Sequence, residues 1–222
     1  MNITFETNCS EENWMQVIDN YKIKMDLNFI NFDRRILYLN KVKDYYTVCK
    51  YIEEKLLDTG IIDNFIIVEE YIRDVLDFFD LTFEDLNNDL ESISELLAIY
   101  LCDTDYLVHF SADTMLEKSS KWIFPGIDIL QDFKDVKIAS PDCQYINGTL
   151  PFIPARSSFN YSNEFCNKCY LIKNNGDFRS KYTYQDYTNR SFKDRISLWM
   201  KDNKFKRVVY RHGQYRYPKY NI

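Results

Sequence analysis

Seven polar residues stand at or just after the ends of short strand-like runs, where an oxygen-bearing side chain can meet a ligand: Thr7, Asn8, Asn40, Glu69, Glu70, Ser111 and Asp113. Hydroxyl, amide and carboxylate groups at such places either hold a polar ligand or cap the segment that follows. A literal Asp-x-Asp, Asp103-Thr104-Asp105, precedes the run Tyr106-Leu107-Val108-His109-Phe110 instead of following it, and its composition suits a helix-to-strand turn. Cys166-Asn167-Lys168-Cys169 has the spacing of half a zinc site but lacks a second pair or spaced histidines. The six cysteines stand mostly among aliphatics, as buried thiols do. His109 and His212 are the only histidines, which excludes a His-rich metal centre. With five glycines and no Gly-x-Gly-x-x-Gly, Gly-x-x-x-x-Gly-Lys or Gly-x-Ser-x-Gly, the sequence argues against dinucleotide, P-loop and α/β-hydrolase chemistry.

The elements that must position these residues alternate. Strands are expected at 3–7, 36–39, 65–68, 106–110 and 136–139. Helices are expected at 11–24, 45–58, 71–79, 92–101 and 122–133, with Gly60 ending the second and Ser92 and Glu95 opening the fourth as a capping box. Val48, Ile52, Lys55 and Leu56 show the helical spacing. This β-α order predicts an α/β fold with a mostly parallel sheet flanked by helices on both faces, its ligand at the carboxyl ends of the strands.

The chain has 222 residues, 45% of them hydrophobic and 17% aromatic, with 18 tyrosines. That length suits one domain with a sizeable core. Its net charge of −6 joins two unlike parts: residues 1–165 carry −16 and residues 166–222 carry +10. A basic segment on an acidic body can serve a nucleic acid, a membrane surface, an anionic ligand or the body itself. No apolar run reaches transmembrane length, and the N-terminus lacks the build of a signal peptide, so a cytoplasmic location is expected.

From Glu95 to Asp113 the order is helix, acidic turn, very apolar strand, polar residue, spacer and Asp. This resembles the sugar-nucleotide centre of GT-A-fold glycosyltransferases (family 2-like), in which an apolar strand ends in Asp-x-Asp. The resemblance implies a nucleotide-sugar donor such as a UDP-sugar, a glycan or other hydroxyl acceptor, and a divalent cation, Mn or Mg, on Asp113. A cation there offsets the charge that builds on the leaving diphosphate. The motif is degenerate, because Ser111 replaces its first Asp.

The same resemblance implies donor contacts from Thr7, Asn8, Asn40, Glu69, Glu70, Ser111 and Asp113. It divides the single domain into a nucleotide-sugar-binding part, 1–142, and an acceptor-side and basic part, 143–222. Residues 165–172 look like the acceptor-side strand, 192–200 like the helix after it, and 207–217 like the closing segment that returns basic groups to the diphosphate. Arg207, Arg211 and His212 are the implied contacts there, with Tyr217 where the family's closing histidine is expected. Glu164 is the implied general base, with Asp177 and Asp186 as alternatives.

Two other readings stand beside this one. A degenerate relative would bind a sugar nucleotide or glycan without transferring it. A nucleic-acid-binding protein would use the basic, tyrosine-rich C-terminal segment, against the repulsion of the acidic body.

Overall fold

The most apolar runs form the middle of one nine-stranded sheet in the computed structural model, which describes residues 1–143, 159–185 and 187–216. β1 (Ile3–Cys9), β2 (Arg34–Leu39), β3 (Asn64–Ile67) and β4 (Tyr106–Phe110) pair in parallel in the order β3-β2-β1-β4. Every residue of β4 is buried, as expected where helices cover both faces of a parallel sheet. The connections carry α1 (Trp14–Asp26), α2 (Tyr45–Ile52), α3 (Ile72–Phe79) and α4 (Leu90–Leu101). After α2 the predicted helix continues as a π-helical turn, Glu53–Leu57, and Gly60 follows it with φ at 69°.

Beyond β4 the sheet is mixed. β8 (Cys169–Lys173) lies antiparallel between β4 and β6 (Val136–Cys143), and β9 (Lys206–Arg216) runs parallel to β6. β5 (Met115–Leu116) and β7 (Phe159–Ser162) pair antiparallel with β9. Six of the nine strands therefore point one way, and residues on both sides of position 142 build the same sheet. The expected acceptor-side strand starts late, at Cys169, because residues 163–168 form the turn that leads into it.

Two apolar clusters fill the two faces. One sets Val17, Tyr21, Val48, Ile52 and Ile127 of α1, α2 and α5 (Ile123–Asp132) against the sheet. The other uses Phe79, Leu96 and Leu97 of α3 and α4, Phe178 of α6 (Gly176–Arg179) and Ile196 of α7 (Phe192–Asp202). Gly126 lets α5 approach closely: a Cβ there would stand 3.0 Å from Ala139 Cβ. Among the described residues no helix is long and apolar enough to cross a membrane.

The capping expectation at Ser92 is corrected. Asp89 caps α4, accepting from the backbone N–H of Glu91 and Ser92, so the helix starts earlier and Ser92 lies inside it. The Ser92 hydroxyl instead donates to Asp89 Oδ2 and accepts from Phe192 N, tying α4 to the start of α7. Glu95 lies buried in the middle of α4, on the side of the sheet where β1 and β4 place Glu6 and His109 opposite each other.

Candidate functional site

β4 ends at Phe110, and the chain turns through Ser111-Ala112-Asp113 at the sheet edge where β1 also ends. Three neighbours hold that turn. Ala112 N donates to Asn8 Oδ1 at 3.2 Å. Ser111 donates twice to the Lys168 carbonyl oxygen, from N at 2.9 Å and from Oγ at 3.2 Å. Lys24, from the last turn of α1, donates to the carbonyl oxygens of Ser111 and Ala112 at 2.9 and 3.0 Å.

Lys24 reaches this place because Val17, Tyr21 and Lys24 share one helix stripe, and the stripe faces the sheet. It is 2% exposed. Burial lowers its pKa from 10.5 to about 8, while Asp113, Cys169, Cys9 and Glu6 push the other way. Nearby, burial raises the Cys9 thiol to about 12 against the pull of Lys24, so that thiol is a core group and not a nucleophile.

The turn forms one wall of a cleft of about 580 Å³. Asn8, Glu12, Asn13 and Gln16 line it from the end of β1 into α1, Glu91 and Glu95 from α4, and Asn167 and Lys168 from the turn before β8. Glu95 is 5% exposed. Burial holds its carboxyl well above the usual carboxylate range, and Glu6, Asp89 and Glu91 add to this against a hydrogen bond from Asn167. A cavity of about 100 Å³ adjoins the cleft, with Lys24, Gln16 and Ala112 in its wall.

A divalent cation here would need oxygen ligands from Ser111 and Asp113. Ser111 offers only a neutral hydroxyl oxygen, which donates to the Lys168 carbonyl oxygen, and the Lys168 ammonium already lies 3.2 and 3.1 Å from the two Asp113 oxygens, where a cation would sit. Among the described residues no three His, Cys, Asp or Glu side chains converge on a point that could hold a metal ion. The donor set does not fit the cation that the Asp-x-Asp resemblance implies.

Of the residues expected at the site, Asn8, Ser111 and Asp113 meet in this cleft. Thr7 is buried beneath it and donates to Phe110 O. Asn40 lies buried at the end of β2, its N–H on Cys9 O, and Glu69 after β3 accepts from Lys41 N at 2.6 Å. Glu70 is exposed beside it. These three stand on neighbouring strand ends but do not line the cleft. Glu164 is exposed in the turn that leads to Asn167 and Lys168, its N–H on Ser162 Oγ.

The basic residues of the closing segment are not brought to the cleft, because that segment is a sheet strand and not a flap. Arg207, at the start of β9, is buried beside Ile138 and Ser162. Arg211 is exposed and donates to Asn160 Oδ1, and His212 is exposed with its ring against Tyr210. Asp177 pairs with Lys137 at 2.8 Å, away from the cleft. Asp186 and Tyr217 lie outside the described residues. Asp103-Thr104-Asp105 forms the expected turn at the opposite edge, with Asp103 on Arg34 and Asp105 accepting from Asn2 N.

Sequence reasoning misses Glu12, Asn13, Gln16, Lys24, Glu91, Asn167 and Lys168 as site residues, and gives Glu95 only a capping role. For Lys24 the signal is a lysine in register with an apolar stripe. For Lys168 it is the position directly before an apolar strand, Cys169-Tyr170-Leu171-Ile172.

The CagZ family model matches residues 4–138, and its description names no activity. A comparison with curated proteins gives no match. Solved structures do match. The galactosyltransferase LgtC, in complex with donor and acceptor sugar analogues, is 14% identical with a TM-score of 0.51, over 94% of this chain and 73% of its own. GalNAc-T7, solved with UDP, GalNAc and Mn²⁺, is 10% identical with a TM-score of 0.58, over 98% of this chain and 44% of its own. Mouse xyloside xylosyltransferase 1 is 9% identical with a TM-score of 0.51, over 91% of this chain and 81% of its own. At these identities the likeness establishes the fold: the sheet and its helices match GT-A-like glycosyltransferases.

Proposed function

The chain belongs to the CagZ family and has a GT-A-like fold, and on the second of these we propose that it is a nucleotide-sugar-dependent glycosyltransferase. The observation that carries this is the cleft at the carboxyl ends of β1 and β4, with Asp113 in its wall. In a sheet of this kind the strand ends are where a ligand is held.

In this reading the diphosphate lies toward Asp113 and Lys168, and the nucleoside runs past Asn8 out of the cleft toward the neighbouring strand ends that carry Asn40, Glu69 and Glu70. The bond between the sugar C1 and the diphosphate oxygen breaks, and its electron pair leaves with the diphosphate. The acceptor hydroxyl oxygen bonds to C1, and its proton passes to a carboxylate base. Glu164 is proposed for that base, since its turn ends in the two residues that close the cleft. The Ser111-Ala112-Asp113 turn, fixed by Lys24, Asn8 and Lys168, supplies a preorganised wall at the leaving group.

The test is titration with UDP- and GDP-sugars, followed by assays for donor hydrolysis and transfer to glycan acceptors. Saturable binding with turnover is expected. No binding of any nucleotide at millimolar concentration would sink the proposal. The missing first carboxylate of the motif favours a second reading, a protein that binds the donor without transferring its sugar. Donor turnover that disappears in Asp113→Ala refutes that second reading.

A further inference from the structure

We infer that Lys168 takes the place of the divalent cation in the donor cleft, so that nucleoside diphosphate binding is independent of metal; this rests on the glycosyltransferase reading above. Lys168 is fastened at both ends to the turn that bears the motif. Its carbonyl oxygen accepts from Ser111 N and Oγ, and its ammonium lies 3.2 and 3.1 Å from the two oxygens of Asp113. The ammonium and the carboxylate are each about one-third exposed, at 34% and 38%, so a ligand in the cleft can reach them.

The departure at position 111 follows from this arrangement. An Asp there would set an acceptor-only carboxylate against the Lys168 carbonyl oxygen, whereas a serine hydroxyl donates to it. Ser111 is thus the residue type that lets Lys168 dock. The charges also agree. Two carboxylates with a divalent cation sum to zero, and so do one carboxylate and one ammonium. A loss of one negative ligand is matched by a cation of one charge fewer. A lysine ammonium is a compact donor suited to phosphate oxygens, and its pairing with Asp113 keeps it at the cleft wall.

The test is calorimetric titration of UDP and of GDP into the full chain, once in EDTA and once in excess Mn²⁺. Whichever nucleotide binds is expected to bind with the same affinity in both buffers to within about twofold, and Lys168→Met is expected to weaken it about tenfold or more in EDTA. Lys168→Arg should retain most of the affinity. If Lys168→Met does not fold, as judged by its melting transition, the two buffers compared on the parent chain still decide. Binding that requires Mn²⁺ overturns the role of Lys168 and leaves the glycosyltransferase reading standing, as does undiminished binding by a folded Lys168→Met. Binding of neither nucleotide in either buffer overturns both.

Discussion

The Lys24 ammonium lies 2.9 Å from the carbonyl oxygen of Ser111, joining the last turn of α1 to the turn that carries Asp113. A buried amine is a costly anchor, and its cost depends on pH. Below about pH 8 Lys24 is charged in both folded and unfolded chains, and the full burial penalty applies. Between about 8 and 10.5 the unfolded chain keeps a proton that the folded one has released, so this group makes stability rise with pH. Urea denaturation of the parent and of Lys24→Met at pH 7 and pH 10.5 checks this. The parent should gain on the variant by about 3 kcal/mol across the window, and an unchanged difference would show that Lys24 is not desolvated.

Glu95 has the opposite chemistry. Burial raises its folded pKa above the ordinary value of 4.5, so the folded chain is favoured while the carboxyl is protonated. That advantage is complete below the unfolded pKa and is lost as pH rises through the raised folded value. Glu95→Gln keeps the shape and removes the titration. The variant should match the parent near pH 4 and become progressively the more stable of the two toward neutral pH, in melting temperatures taken across that range. A constant offset would contradict it.

In the centre of the sheet Glu6 Oε1 and His109 Nδ1 lie 2.5 Å apart, both side chains buried, with the Tyr170 ring stacked on the imidazole. Removing one partner strands the other. His109→Phe should cost about 3–5 kcal/mol, and Glu6→Leu with His109→Phe should recover most of it, since paired buried polar groups are often replaceable by apolar ones together. Equilibrium denaturation of the single and double variants measures both. A double variant no more stable than His109→Phe would argue that the pair is worth more than its desolvation.

The chain holds two places where an Asp precedes or follows β4, and only one is at the cleft. Asp113→Ala removes the carboxylate that holds the Lys168 ammonium at the cleft wall, and the displaced ammonium should weaken nucleoside diphosphate binding by about tenfold, the loss expected for a hydrogen bond to a charged group. Asp103→Ala, at the opposite edge on Arg34, should leave it unchanged. Calorimetry on the two variants separates the positions, and an equal loss in both would mean that the cleft is not where the nucleotide binds.

The alternation of strand and helix through Ala139 is legible in the sequence because each apolar run is bounded by polar residues and each helix repeats its stripe. Legibility fails where a side chain's partner is distant in the chain. Lys24 reads as a solvated helix end until the sheet beneath it is known. Asp89 and Ser92 both offer oxygens ahead of one apolar stripe; the backbone N–H groups of Glu91 and Ser92 on Asp89 show which one caps, and the distant Phe192 N takes up the oxygen of the other. Arg207 and Arg211 read as phosphate ligands by type, yet pairing with β6 and β7 buries the first and places the second on Asn160. Of the site itself, the turn after β4 is readable, whereas the wall that Lys168 provides comes from the turn before a strand far along the chain.

That strand has a consequence for how the protein comes together. Phe110 pairs with Cys169, and Ile138 with Ile172, so β8 fills a gap between two strands made long before it. Until Lys173 has been synthesised, β4 presents an unpaired edge of the kind that captures other chains. Pairings this remote in sequence also form slowly. The cleft is therefore among the last features to assemble, and a fragment that stops short of β8 would expose a sticky margin in place of the cleft wall.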